Sequence, residues 1–417
     1  MTEVASAECQ ADHATAWSTP SVSSLELDQL RVILYTPVFS PSMGGMETYA
    51  AGLGAGLVEM GARVILVTDT AGERESRQFP FPVVRRPGRR QQLALVRWAH
   101  VVQLSGFDLP LFLLAKALRK PIVWTRHAYG PTECATLPPA GQRARCGPLH
   151  LSVCWPILRS HSTTLGGAVK AYLRQWAHIF ARHFVEANIV SVECHRQDLD
   201  LPDALIIPHW ADVPNQWEPA PRPGVPTIVF VSRHIRGKGG DVLLRALGRL
   251  LPQSAEWHVV LAGEGPERLA WMDLAHQLGV PAAFPGALSK DAVAELFRSA
   301  DVVVVPSELL EYVGLTALEA MAEGAYVIAS AIAGLGAVVQ QCGGATFPAG
   351  DDAALAALLS ATLSDRDHTQ HLGQRARDRV MHGFSKGQSI RAYAVLYRSL
   401  LATSQREWNQ SPVPVLE

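Results

Sequence analysis

Short runs of β-branched and other apolar residues alternate with stretches of helical spacing along nearly the whole chain, and the alternation occurs twice. In the first set, residues 31–35, 63–67, 101–104, 121–125 and 188–192 read as strands, with helical spacing at 47–60 and 109–118 between them. A strand that is apolar at every position is buried on both faces, and intervening helices make its sheet parallel. In the second set, residues 227–232, 256–262, 282–284, 301–306 and 326–330 read as strands with helices between them. Between the sets lie Pro208, Pro214, Pro219, Pro221 and Pro223, a composition typical of a linker.

This pattern predicts an α/β fold of two Rossmann-like, doubly wound parallel-sheet domains facing across a cleft. The expected boundaries are a disordered lead-in at 1–28, an N-terminal domain at 29–208 and a hinge at 209–225. A C-terminal domain follows at 226–388, and residues 389–417 form a helix crossing back to the first domain plus a tail. A chain of 417 residues, 48% hydrophobic and 18% charged, suffices for two cores. The net charge of −1 gives no field that favours nucleic acid. No apolar run reaches the roughly 18 residues of a membrane span. Met1 to Leu25 lacks the basic start and apolar core of an export signal, so a cytoplasmic location is expected.

Ligands of doubly wound sheets bind beyond the carboxyl ends of the strands. The loops that follow strands are therefore where chemistry is expected. After the strand at 301–306, a loop carries Glu311 and a helix opens near Gly314. Glu319 lies eight positions beyond Glu311, about one and a half turns into that helix. The amides of Val313, Gly314, Leu315 and Thr316 form a helix mouth suited to a diphosphate, and glycine at 314 permits close approach. Glu319 suits a ribose, and Glu311 suits hydroxyls of a transferred sugar. After the strand at 227–232, Arg233 and Lys238 occupy a glycine-rich loop. Two fixed cations there would stabilise a departing diphosphate most strongly in the transition state. Gly44-Gly45-Met46-Glu47, after the first strand, again permits close backbone approach.

Taken in order, GGMETY at 44–49, SRHIRGKGGD at 232–241, AGEGPE at 262–267 and the Glu311 to Glu319 segment with LEAMAEG resemble the retaining family 4 glycosyltransferases of the GT-B fold. The resemblance runs from about Val32 to about Leu400. It implies that Arg233 and Lys238 bind the donor diphosphate, that Glu319 binds the ribose and Glu311 the donor sugar. It implies Gly45 near the diphosphate, the 284–288 backbone, with Gly286 and Leu288, near the base, and Gly263 on the donor side. His127 matches the family histidine near the transferred sugar. Glu47, Arg126 and His209 are assigned to the acceptor. Three segments depart from the pattern: Glu311-Tyr-Val-Gly314 stands for EGFG, His209 for Asn, and Gly336-Ala337 for Pro-Glu.

The expected activity is thus retaining transfer from a UDP- or GDP-sugar to a small-molecule acceptor, with no metal and no cofactor. Within the class, the rival acceptor is lipid-linked or a polysaccharide. Outside it, the same scaffold serves sugar-nucleotide epimerases, phosphorylases and non-catalytic nucleotide-sugar binders. Asp198-Leu-Asp200 matches a metal motif of another fold but lacks its strand context. Cys134, Cys146 and Cys154 cluster near His127, His150 and His161 without the paired spacing of a zinc site, so packing is the expected role. Arg85, Arg86, Arg89 and Arg90 read as a solvated basic face. Trp155, Trp176 and the basic residues between them suit either a lipid surface or packing under the acceptor lip.

Overall fold

The computed structural model describes residues 27–40, 45–72, 79–127, 164–211, 217–218, 224–250 and 257–410. The lead-in before residue 27, most of the expected hinge, and the Cys134, Cys146, Cys154, His150, His161 and Trp155 group lie outside the described residues. The described residues up to Pro208, joined by those from Gly387 onward, form one compact unit, and His209–Lys386 forms a second.

The N-terminal unit runs β1 (Arg31–Thr36), α1 (Gly45–Glu59), β2 (Arg63–Thr68), β3 (Val83–Arg85), α2 (Arg89–Trp98), β4 (Val101–Leu104), α3 (Leu109–Ala117) and β5 (Ile122–Thr125). It continues α4 (Leu165–Ala181), β6 (Ala187–Val190), α5 (Glu193–Asp198) and β7 (Leu205–Ile206). The sheet order is β3-β2-β1-β4-β5-β6-β7, with every pairing parallel. Ile33 and Tyr35 of β1 join one core with Val102, Leu104, Ile122 and Trp124. Val32 and Leu34, between them, are equally inaccessible on the other face. That two-sided burial is why β1 is apolar at successive positions.

The C-terminal unit runs β8 (Thr227–Val231), α6 (Gly240–Leu250), β9 (His258–Ala262), α7 (Arg268–Leu278), β10 (Ala282–Gly286), α8 (Lys290–Ser299) and β11 (Val302–Val305). It continues α9 (Leu315–Ala322), β12 (Tyr326–Ser330), α10 (Ala333–Cys342), β13 (Ala345–Phe347), α11 (Asp352–Ser364) and α12 (Arg366–Gly383). The parallel order is β10-β9-β8-β11-β12-β13. Asp301, 1% exposed, ties the start of this sheet together. Its carboxylate accepts from the Thr227 amide at 2.9 Å and from two nitrogens of Arg366 at 2.8 and 3.0 Å. Trp217, from the expected hinge, donates Nε1 to the Glu323 carbonyl at 3.3 Å and lies under the Arg377 guanidinium.

The last helix, α13 (Lys386–Gln410), starts three residues before the expected Ser389 and from Gly387 on packs in the N-terminal unit. Gly56 of α1 makes room for it, since a Cβ there would stand 2.0 Å from Ile390 Cδ1. Tyr393 and Tyr397 are fully buried. Tyr49 donates to the Tyr393 hydroxyl, which lies 2.7 Å from Thr125 Oγ1. Gln103 donates to Thr125 at 2.9 Å and accepts from Tyr397 at 2.8 Å. Burial raises the pKa of all three tyrosines, so they serve as neutral hydrogen-bonding groups.

Candidate functional site

In the C-terminal sheet the chain runs outward from β8 through β9 to β10, then returns to the other side of β8 as β11. The strand order reverses between β8 and β11, and a crevice opens beyond the carboxyl ends of two such strands. A pocket occupies that place. It is lined by Phe230, Val231 and Ser232 from the end of β8, Val304, Val305 and Ser307 from the end of β11, and Lys238, Glu311, Gly314, Leu315 and Thr316 from the loops beyond.

Glycine brings the two loops together. Gly239 has φ 76°, and a Cβ on it would stand 1.9 Å from the Pro306 carbonyl oxygen. The Glu308 amide donates to the Gly237 carbonyl at 2.7 Å. This contact sets Lys238 against Glu311, and the ammonium forms an ion pair with Glu311 Oε1. Ser307 Oγ donates to the same carboxylate oxygen at 3.1 Å. Gly314 then caps α9 in the left-handed conformation at φ 72° with no side-chain cap. A Cβ there would lie 2.4 Å from Leu335 Cδ1. The hydrogen-bond ladder of α9 opens with the Ala317 and Leu318 amides donating to the Gly314 carbonyl at 2.8 and 3.2 Å, so the amides of Leu315 and Thr316 precede it, and the helix dipole adds partial positive charge there. An ammonium, a helix mouth and a carboxylate thus share one pocket, the combination that receives a phosphate ester together with hydroxyls.

Five of the expected donor residues line this pocket: Lys238, Glu311, Gly314, Leu315 and Thr316. Val313 is buried beside them. Glu319 sits half-buried further along α9, outside the lining. Arg233 follows Ser232 on the exposed side of the loop, also outside the lining. Gly263 and Gly286 stand on the neighbouring strand ends. The Gly263 amide donates to the Gly286 carbonyl at 2.8 Å, and a Cβ on Gly263 would stand 1.8 Å from the Ser232 carbonyl oxygen. Leu288 is half-buried just beyond β10. His209 is buried in this unit, its ring 5.1 Å from that of Tyr312 in the Glu311 loop. Ser307 and Ser232 were not singled out in the sequence. The signal for Ser307 was its place directly after Pro306 in a strand-end loop.

The remaining candidates belong to the N-terminal unit. Gly45 is the first residue of α1, and Glu47 is buried in its first turn. Arg126 is engaged internally, donating to Asn188 Oδ1 at 3.2 and 2.9 Å with its guanidinium 3.5 Å from the Trp124 ring centre. The His127 ring meets Tyr49 edge-on at 4.7 Å. Burial pushes its pKa down to about 3, so the imidazole is neutral near pH 7. Among the described residues, no group of three His, Cys, Asp or Glu side chains is placed to hold a metal ion. Among the same residues, no helix is long and apolar enough to cross a membrane.

Residues 214–379 match the family described as Glycosyl transferases group 1. An uncharacterized glycosyltransferase of Methanocaldococcus jannaschii is 35% identical over 162 residues, 38% of this chain and 41% of its own length. The D-inositol 3-phosphate glycosyltransferase of Nocardia farcinica is 32% identical over 232 residues, half of each chain. The matched stretches thus span half or less of these relatives. Among solved structures, sucrose-phosphate synthase from Thermosynechococcus elongatus has a TM-score of 0.67 at 20% identity, covering 90% of this chain and all of that one. Anabaena HepE in complex with UDP and glucose has a TM-score of 0.66 at 16% identity, covering 89% of this chain and all of that one. At such identities the likeness establishes the fold. The two Rossmann-like parallel-sheet units are those of GT-B glycosyltransferase structures, and the group 1 match falls on the unit that holds the pocket.

Proposed function

We propose that the chain is a retaining glycosyltransferase that moves a sugar from a UDP- or GDP-sugar to a small-molecule acceptor. The observation that carries this reading is the Lys238–Glu311 pair at the mouth of α9, in the pocket where the strand order reverses. The diphosphate takes the helix mouth and becomes the partner of Lys238, with Arg233 as a second cation. Glu311, released from the ammonium, accepts hydroxyls of the sugar, and Glu319 holds the ribose. The bond between the anomeric carbon and the diphosphate oxygen breaks with its electron pair going to the diphosphate. The acceptor oxygen bonds to that carbon on the same face, and its proton passes to the leaving diphosphate. Positive charge fixed beside the leaving group favours the transition state over the ground state, because negative charge grows there only as the bond breaks. Charge neutralisation is assigned to side chains and amides, with no metal. Glu47 and His209 are assigned to the acceptor side and His127 to the transferred sugar, while Arg126, whose guanidinium is taken up by Asn188, is left out of the acceptor set. Support comes from HepE, a structure of the same fold that holds UDP and glucose, and from a relative named for transfer involving D-inositol 3-phosphate, a small polar molecule.

A melting screen with UDP, GDP, ADP and dTDP identifies the carrier. With the corresponding donor sugars, Lys238→Ala and Arg233→Ala are each expected to cut turnover by more than about tenfold in a folded protein. Near-normal rates in both variants would remove the diphosphate site from this loop. Activity abolished by chelator would overturn the metal-free assignment.

A further inference from the structure

Helix α4 presents an apolar stripe to solvent. It opens at Thr164, whose Oγ1 accepts from the Gly167 amide at 3.0 Å. Its inner side is fixed to the N-terminal core. Ala181 is buried, and His178 meets Trp124 edge-on at 4.6 Å and Phe107 at 5.5 Å. Val169, Leu173, Trp176 and Phe180 recur at i, i+4, i+7 and i+11, and Phe184 follows one turn later in a short 3-10 segment. That spacing places them on one stripe. Their exposures are 42, 61, 38, 64 and 48%. Large apolar side chains scattered singly over a surface are ordinary, but five in register mark an interaction surface.

The charge of the segment identifies what it meets. Residues 164–185 contain Lys170, Arg174 and His183, together with Arg182, whose guanidinium donates to the Leu199 carbonyl at 2.8 Å, and the inward His178, and no Asp or Glu, in a chain whose net charge is −1. The first acid beyond them, Glu186, is taken up by Lys116 at 2.7 Å and by the Ile122 amide at 2.7 Å. Asp108, at the start of the neighbouring α3, accepts from the Leu111 amide at 2.6 Å. A second copy docked on this stripe would set the same cations against themselves. An anionic bilayer offers apolar chains for the stripe and phosphates for the cations.

We propose that α4 seats the N-terminal unit on an anionic lipid surface, with the 169–184 stripe in the boundary between headgroups and acyl chains. The helix lies on the membrane and does not span it. This inference is independent of the reading of the C-terminal pocket.

The test uses the full chain and sedimentation with phosphatidylcholine vesicles, either plain or holding about 30 mol% phosphatidylglycerol. The wild type is expected to sediment with the anionic vesicles and not with the plain ones. Leu173→Glu with Phe180→Glu, both on exposed positions, is expected to lower that partition by about tenfold or more. Its melting temperature and its nucleoside-diphosphate thermal shift should stay unchanged. Lys170→Gln with Arg174→Gln keeps the stripe and is expected to lower partition by about fivefold for each charge removed. This second pair decides the matter if the glutamate variant does not fold. The proposal is overturned by wild-type protein that ignores anionic vesicles, or by variants that partition as the wild type does. It is equally overturned if light scattering finds a dimer that the glutamate substitutions dissociate, since a second copy then covers the stripe.

Discussion

Replacing Glu311 by Gln separates binding of the carrier from transfer of the sugar. Without ligand, the carboxylate already occupies Lys238, so an incoming diphosphate competes with it for the ammonium. The two side chains are 21% and 20% exposed. Unit charges about 4 Å apart interact by about 4 kcal/mol at an effective dielectric of about 20, before desolvation is charged against them. Fully exposed pairs retain only about 0.2–1 kcal/mol. A pair four-fifths buried lies between these limits, at about 1–2 kcal/mol net. Glutamine keeps the shape of the side chain and an oxygen for Ser307 Oγ, which now bonds Glu311 at 3.1 Å, while releasing the ammonium. Glu311→Gln is therefore expected to bind the free nucleoside diphosphate about 5–30-fold more tightly than the wild type. Turnover should fall by about tenfold or more, because sugar hydroxyls lose a charged acceptor. Calorimetry with the carrier chosen by the melting screen measures the first effect, and initial rates with the donor sugar measure the second. An affinity equal to or weaker than that of the wild type would refute the competition between carboxylate and diphosphate for Lys238.

His127 has a pKa lowered by burial to about 3, against 6.5 in the unfolded chain, so the unfolded state alone gains this proton as pH falls through that window. Stability should drop by up to about 1.4 kcal/mol per pH unit from this group as pH falls from about 6.5 toward 3. His127→Phe should show a shallower acid dependence of its urea midpoint, and parallel curves would contradict the assignment. Gly239→Ala puts a Cβ 1.9 Å from the Pro306 carbonyl oxygen at φ 76°, and is expected to cost about 2 kcal/mol or more while abolishing the nucleotide thermal shift. A normal shift in that variant would mean the two loops need not touch. Tyr397→Phe leaves the buried Gln103 Oε1 without its 2.8 Å donor. It should lower the stability of the N-terminal unit by about 1–3 kcal/mol in urea unfolding, with nucleotide binding unchanged.

The inner strands were legible because burial on both faces writes itself into consecutive apolar residues. Val302–Val305 is four valines, and the structure buries Val302 and Val304 in one core with Val303 inaccessible on the other face. The strands not foreseen are β3, β7 and β13, each two or three residues long and each at the edge of its sheet. An edge strand is paired on one side only and half exposed, so it carries too few apolar positions to show a period. The same limit applies to the direction a helix faces. The spacing of Trp176 and its neighbours was compatible with packing or with lipid. Only the meeting of His178 with Trp124 and Phe107 decides which side of α4 is covered.

The candidate site divides along a similar line. Residue type and position after a strand marked Lys238 and Glu311 as loop residues, but nothing in a loop of one strand records what a loop 73 residues away presents to it. Their meeting depends on the reversal of strand order, which sets β8 beside β11, and on Gly239, which lets the loop backbones touch. Arg126 illustrates the opposite case. It stands beside His127 at a strand end, where sequence logic assigns it to a ligand, yet Asn188, 62 residues on, and the Trp124 ring hold its guanidinium inside the fold. Its neighbour Asn188 lies in β6, the next strand over, so the pairing that occupies it is a fact of sheet order. Topology thus decides which of two similar strand-end cations is engaged by the fold and which meets its carboxylate at the mouth of a helix. That is why the Lys238 loop, rather than the Arg126 loop, is where a change of one side chain is expected to alter affinity for a diphosphate.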